Sequence, residues 1–269
     1  ESALIPNIIT YGADTRLEVL RHIDHTRDDH TRLIAYETTH LGDAWDDTSV
    51  CIDDVRGQES AKRGLIIGAA GRHNALLVGP PGTGKTMLAR SLSSLLPPLS
   101  IEEALDVTSI HSVAGSKQEL TTKPPFRAPH HTASHTALVG GGTHPRPGEV
   151  TLAHRGVLFL DEFPEFERRS LDALRQPLED RVVSITRVHA SVLFPADFML
   201  IAAVNPTRGG DERGDYTEQM LHTYKEKISG PILDRIDLWL PVPHVDYETL
   251  TRKRIVHTSD ETKRAREHI

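Results

Sequence analysis

The chain has 269 residues, 38% of them hydrophobic and 26% charged, a balance that excludes collagen-like, low-complexity and disordered classes. Its formal net charge of -7 offers no global basic surface for nucleic acid, so any such contact needs a local stripe. No apolar run reaches the ~18 residues of a spanning helix, no signal-peptide pattern opens the chain, and Cys51 is the one cysteine; the expectation is a cytoplasmic protein with no membrane partner, no internal disulfide and no all-cysteine zinc site.

The chain does not open on methionine, and Thr258 with Glu261 resembles a capping box ahead of a polar helix that runs off at Ile269. It is therefore read as a piece of a longer protein. Residues 1–50 would be the tail of a preceding domain and a linker, 51–245 one complete α/β core, and 246–269 the start of a further helical segment. The first of these stretches is polar, charged around Arg27, Asp28 and Asp29, and lacks strand alternation.

From Asp53 the character changes. Residues 58–72 read as a helix and 75–78 as a short apolar strand that stops at glycine. Gly79-Pro80-Pro81-Gly82-Thr83-Gly84-Lys85-Thr86 then fits G-x-x-x-x-G-K-[ST], and residues 87–95 read as the helix after it. Strand, loop, helix is the context that this motif requires. Glycines let successive backbone N–H groups meet phosphate oxygens beside the positive end of the next helix; Lys85 neutralises β and γ oxygens, and Thr86 offers a hydroxyl to Mg²⁺. A glycine-rich turn with a chance lysine is the bland alternative, and the flanking strand and helix weigh against it. ATP with Mg²⁺ is the expected ligand.

Residues 113–155, rich in His, Gly and Pro, are too long for a plain connection and are expected to hold inserted structure. Among them His130, His131 and His135 raise a metal question, because His131 and His135 would share a face if helical, although no H-E-x-x-H pattern is present. Residues 157–160 form a second buried strand ending in Asp161 and Glu162, at the carboxyl edge where α/β sheets bind ligands. Asp161 would hold Mg²⁺ through its water shell, and Glu162 would orient and activate the attacking water. Taken alone, Asp161, Glu162 and Glu165 can equally stabilise the start of a helix after Pro164. The P-loop tips the reading towards catalysis.

Residues 182–188 and 191–194, separated by His189 and Ala190, read as a hairpin. A third buried strand, 199–204, ends in Asn205-Pro206, where an amide can hold the attacking water near the γ-phosphate; 238–242 is a weaker strand interrupted by proline. Apolar runs separated by helical patterns indicate a parallel sheet covered on both faces, a three-layer α/β/α arrangement without internal repeats. Arg235, in Ile232-Leu233-Asp234-Arg235-Ile236-Asp237, can act as an arginine finger on a neighbour's ATP or can pair with Asp234 or Asp237. Cys51 reads as a small core residue.

Five segments in order carry a more specific signal: Gly57-Gln58-Glu59, Phe126-Arg127-Ala128-Pro129-His130-His131, Arg146-Pro147-Gly148-Glu149 with Leu152-Ala153-His154, Arg175-Gln176-Pro177-Leu178-Glu179-Asp180, and Ile228-Ser229-Gly230-Pro231. Over residues 53–243 the chain resembles the magnesium-chelatase-like AAA+ ATPases, closest to the ComM (YifB) family of bacterial competence proteins. The resemblance implies a P-loop NTPase core of the AAA+ type. In it Asn205 is the sensor-1 residue, Arg235 the finger acting in trans, Gln58 a neighbour of adenine, and residues 182–194 a presensor-1 hairpin, while the long insert interrupts the second core helix.

It also implies ATP hydrolysis in a homo-oligomeric, hexameric ring that remodels DNA by branch migration or helicase-like movement in competence and recombination. A magnesium-chelatase motor and a protein-remodelling chaperone are its rivals, and a scaffold with a silent P-loop is disfavoured by Glu162. Where such proteins usually carry cysteines this chain reads Thr207-Arg208-Gly209-Gly210, which puts a zinc site there in question. On this resemblance, the C-terminal lid that bears the sensor-2 arginine is expected to be represented in these residues by no more than its first helix. On the hairpin, Arg181, Arg187 and His189 are the expected DNA contacts, with an Arg187–Asp180 ion pair as the bland alternative.

Overall fold

A strand covered on both faces needs apolar side chains at every position, and three runs of this sequence meet that requirement. The computed structural model describes residues 9–26, 28–36, 45, 50–116, 120–142, 145–187, 190–205, 228–248 and 260–269. Ahead of the core lie α1 (Arg16–Ile23) and a bridge between Tyr11 and Ala35. A 3₁₀ turn at Ile52–Asp54 leads into α2 (Glu59–Gly71), β1 (Ala75–Val78), α3 (Lys85–Ser91) and α4 (Ile101–Val113). Next come β2 (Phe126–Arg127), α5 (His135–Val139), the two-residue strands β3 (Gly140–Gly141) and β4 (Arg146–Pro147), α6 (Glu149–Leu152) and β5 (Val157–Leu160). The short helices α7 (Arg168–Asp172) and α8 (Arg175–Asp180) precede β6 (Val182–Arg187), β7 (Ala190–Pro195) and β8 (Met199–Val204). Of the remainder, α9 (Gly230–Leu233), β9 (Leu238–Pro241) and α10 (Asp260–Arg266) are described.

Five strands form one parallel sheet in the order β2-β5-β8-β1-β9. Alternate residues of its central strands enter two separate cores, as the period of two demands. Leu76, Val78, Leu158, Leu160, Leu200, Ala202 and Val204 face the cluster built from α5 to α9 and the β6–β7 hairpin. Ala75, Leu77, Val157, Phe159, Met199, Ile201 and Ala203 face the cluster built from α2, α3 and the 3₁₀ turn at 52–54. The α/β/α sandwich expected from the sequence is therefore present. No helix among the described residues is long and apolar enough to cross a membrane.

Three features depart from the expectation. The segment 113–155 is not all insert, because β2 pairs with β5 and completes the edge of the main sheet. Its extra structure is the small antiparallel β3–β4 ribbon between α5 and α6. A two-residue strand followed by Ala128-Pro129 leaves no apolar run to read, so periodicity could not find it. Second, α3 begins at Lys85, two residues before the apolar pattern starts. Third, α1 lies in the stretch read as linker, capped by Thr15 Oγ1, which accepts from the Glu18 N–H at 3.3 Å, and none of its residues is buried.

Further along, α10 docks on the core. Asp53 accepts from the Glu261 and Thr262 N–H groups, each at 3.2 Å, and from the Thr262 hydroxyl. Arg266 Nε donates to the Ser94 carbonyl at 2.9 Å. The partner proposed for Glu261 in a capping box, Thr258, lies outside the described residues.

Candidate nucleotide site

Because β1, β5 and β8 are adjacent and parallel, whatever follows each of them is delivered to the same sheet edge, and this sequence follows them with a glycine-rich loop, two carboxylates and an amide. After β1 comes the loop 79–86. Gly82 and Gly84 hold φ of +77° and +89°, a region that L side chains rarely adopt, and a Cβ built on either meets nothing within 4 Å. Conformation, not close packing, is thus what calls for glycine at these two positions. Lys85, 6% exposed, folds back to donate to the Gly79 and Pro80 carbonyls at 2.8 and 2.7 Å. Burial lowers its pKa, and the Asp161 carboxylate opposes part of that shift.

At the end of β5, Asp161 accepts from the Thr86 hydroxyl at 3.0 Å through Oδ2 and from the Glu162 N–H at 2.9 Å through Oδ1. A hydroxyl and a carboxylate held together are hard oxygen donors of the kind Mg²⁺ takes, so these residues fit the ion. Glu162 itself stands in the left-handed region, φ +50°, with a half-exposed side chain whose Oε2 lies 2.9 Å from His131 Nδ1. After β8, Asn205 has a buried side-chain oxygen without a partner among the described residues. An orphaned buried acceptor is costly unless something else satisfies it. Gln58, also left-handed at φ +61°, bridges the two ends of the site: its Nε2 donates to the Pro243 carbonyl at 2.6 Å and lies 3.5 Å from the Thr83 carbonyl, while its buried Oε1 has no partner among the described residues.

Arg235 is not part of this constellation within one chain. Its guanidinium donates to Glu179 Oε1 at 2.7 Å, both groups being well exposed. The alternative partners weighed from sequence, Asp234 and Asp237, are corrected by this geometry. The reason is local: Asp237 turns back to accept from the Asn74 N–H at 3.0 Å, and α8 brings Glu179 alongside. Asn74, which sequence reasoning passed over, ties this corner together. Its Nδ2 donates to the Arg235 carbonyl at 2.9 Å and its Oδ1 accepts from the Leu200 N–H at 2.8 Å.

The histidines resolve differently from a metal cluster. The helix begins only at His135, after Ser134 as N-cap, so His131 and His135 do not share a helical face. Among the described residues no group of three or more His, Cys, Asp or Glu could hold a metal ion. His131 instead packs on His130, ring centroids 4.1 Å apart, and meets Phe166 edge-on at 6.5 Å. The loop that carries both is rooted at Arg127, whose Nε and Nη2 donate to the two oxygens of Glu149, each at 2.7 Å. That hydrogen bonding raises the Arg127 pKa against the opposing effect of burial. Two of the ordered sequence segments are thereby joined in space.

Of the hairpin residues, Arg181 sits at the base, where its Nε lies 3.7 Å from Asp197 Oδ1. His189, the Arg187 side chain and residues 207–210 lie outside the described residues. Cys51 is half-buried at the head of the 3₁₀ turn, its N–H donating to Asp54 at 2.9 Å, and so is less enclosed than a core residue.

The family model described as magnesium chelatase, subunit ChlI, matches residues 51–250. This chain belongs to that family. Relatives of this magnesium-chelatase-family chain include YifB of Salmonella typhimurium, 55% identical over 195 residues that cover 71% of the chain and 38% of that protein. The competence protein ComM of Haemophilus influenzae is 45% identical over 250 residues, 90% of the chain and 48% of that protein. More distant is the magnesium-chelatase 67 kDa subunit of Chlorobaculum parvum, 26% identical over 212 residues, 77% of the chain and 29% of that protein. The chain spans less than half the length of each of these relatives. It is thus a magnesium-chelatase-like AAA+ nucleotide-binding core, related to YifB and ComM, on a parallel α/β sheet.

Proposed function

We propose that this chain is the ATP-hydrolysing core of a longer AAA+ protein that acts as a homo-oligomeric, hexameric ring and remodels DNA. The observation that carries the reading is the convergence, at one sheet edge, of Lys85 and Thr86 after β1, Asp161 and Glu162 after β5, and Asn205 after β8, with the Thr86 hydroxyl 3.0 Å from Asp161. In this reading the loop Gly79, Pro80, Pro81, Gly82, Thr83, Gly84, Lys85 and Thr86 wraps the phosphates of ATP. Lys85 leaves its two loop carbonyls for the β- and γ-phosphate oxygens, and Gln58 lies beside the base. Thr86 and Asp161 would hold Mg²⁺, which would supply charge neutralisation at the phosphate oxygens. Glu162 accepts a proton from water as its oxygen bonds to the γ-phosphorus and the bond to the bridging oxygen breaks, giving ADP and phosphate. Asn205 holds that water through its unpartnered oxygen. Arg235 leaves Glu179 to stabilise charge on a neighbouring subunit's ATP.

DNA as the remodelled substrate is favoured over a tetrapyrrole because identity to the competence protein ComM, 45%, is well above the 26% to a magnesium-chelatase subunit. The test is nucleotide binding and hydrolysis by Lys85→Ala and Glu162→Gln variants of the full-length protein, with and without branched DNA. Lys85→Ala should lose binding, and Glu162→Gln should bind normally without turnover. Equal loss of affinity in both would overturn the assignment of roles, and indifference of the wild type to branched DNA would overturn the substrate.

A further inference from the structure

We propose that His131 is the positioning residue for Glu162, so that the Phe126-Arg127-Ala128-Pro129-His130-His131 segment serves water activation; this rests on the ATPase reading above. Glu162 has a fixed root and a loose end. Its backbone is held in the left-handed region, and its N–H is committed to Asp161 at 2.9 Å. The carboxylate, by contrast, sits on three torsions with a side chain 48% exposed, and an unrestrained glutamate of this kind samples several rotamers. Among the described residues His131 is the side chain that restrains it, through the 2.9 Å contact of Nδ1 with Oε2. An ionised carboxylate only accepts, so a hydrogen bond across this 2.9 Å contact requires the proton on Nδ1. One carboxylate oxygen is then occupied, and Oε1 is left to take a proton from water.

The imidazole can do this because two rings pack against it. His130 lies 4.1 Å away ring to ring, and His130 Nδ1 is in turn 2.9 Å from the Thr132 hydroxyl. The buried Phe166 meets the His131 ring edge-on. Four residues back along the chain, the two 2.7 Å bonds from Arg127 to Glu149 anchor the loop to α6. A reactive side chain aimed by a rigid neighbour that is locked by further contacts is the arrangement positional catalysis needs.

Two substitutions separate the hydrogen bond from the packing. His131→Phe keeps a ring against His130 and Phe166 but has no donor, whereas His131→Asn loses the ring and keeps an N–H near the place of Nδ1–H. Steady-state ATPase of the full-length protein, binding of a fluorescent ATP analogue and the thermal midpoint are measured for each. The expected result for His131→Phe is a fall of about tenfold in kcat at unchanged KM and nucleotide affinity, with His131→Asn retaining most of the turnover. Unchanged or raised kcat in His131→Phe, or equal losses in the Phe and Asn variants that follow their thermal midpoints, would overturn the proposal. If wild-type turnover is insensitive to both Lys85→Ala and Glu162→Gln, the ATPase reading fails and this inference with it. If those two variants behave as expected and His131→Phe does not, the positioning role alone is lost.

Discussion

Removing the Arg127–Glu149 pair should destabilise the fold by about 2 kcal/mol, a figure bounded by how deeply the pair lies. Exposed ion pairs contribute roughly 0–1 kcal/mol, whereas breaking a fully buried one costs about 3–5 kcal/mol. Here the side chains are 35% and 22% exposed, which places the pair between those limits. Its geometry argues for a value above the surface range, because both oxygens of Glu149 accept from a planar guanidinium at 2.7 Å. With about 2.1 cal/mol/K of unfolding entropy per residue, 2 kcal/mol corresponds to a fall of about 4 °C in the thermal midpoint of a chain of 269 residues. The assay is a double-mutant cycle of Arg127→Met and Glu149→Gln by urea unfolding. Each single variant should be about as unstable as the double, since either leaves a half-buried polar group without its partner. A coupling energy below about 0.5 kcal/mol would refute the view that this pair anchors the His130–His131 loop.

Asp53→Ala should release α10, because the Glu261 and Thr262 N–H groups and the Thr262 hydroxyl all rely on that carboxylate; hydrogen exchange over residues 260–266 should accelerate at a cost of about 1–2 kcal/mol in local stability. Acid should destabilise the protein through His111 and His154, whose pKa values burial lowers from the ordinary 6.5. Their contribution is present above pH 6.5 and is lost as pH falls through the folded-state values, since the unfolded chain takes up protons that the native chain refuses. Replacing His154, which accepts from the Asp197 N–H at 3.0 Å, with Asn should flatten that acid dependence in thermal melts, and an unchanged slope would remove His154 from the account. Arg235→Ala should leave nucleotide affinity unaltered while lowering assembled turnover by roughly 10³-fold, with partial recovery on mixing with Glu162→Gln subunits. Co-assembly without recovery would count against action across the subunit boundary.

The parts of the fold legible in the sequence were those with a continuous physical signal. β1, β5 and β8 are uninterrupted apolar runs, each stopped by a glycine or a polar residue, and their polar successors proved to share one edge of the sheet. The β6–β7 hairpin showed through its own alternation. What escaped notice had no local signal. β2 is two residues long and exists because β5 offers it an edge, and α1 has no buried face to impose a period. The same holds at the site. Lys85, Thr86, Asp161 and Glu162 follow from spacing, but the contacts of Glu162 with His131 and of Arg235 with Glu179 join residues 31 and 56 positions apart. His131 stood in a segment distinctive enough to be singled out, and only the fold revealed which carboxylate it faces.

The main sheet ends on one side in β2, two residues followed closely by Pro129, and on the other in β9, which closes on Pro241 with Pro243 just beyond. Proline has no N–H to give, and two residues offer almost no backbone to pair, so both borders are blunted against recruiting a strand from another molecule. Among the described residues, the main sheet therefore offers copies of this protein little means of joining by its extension. Association of copies, where the proposed ring forms, would then rest on side chains of helix faces and loop ends, among them the exposed Arg235, rather than on the main sheet.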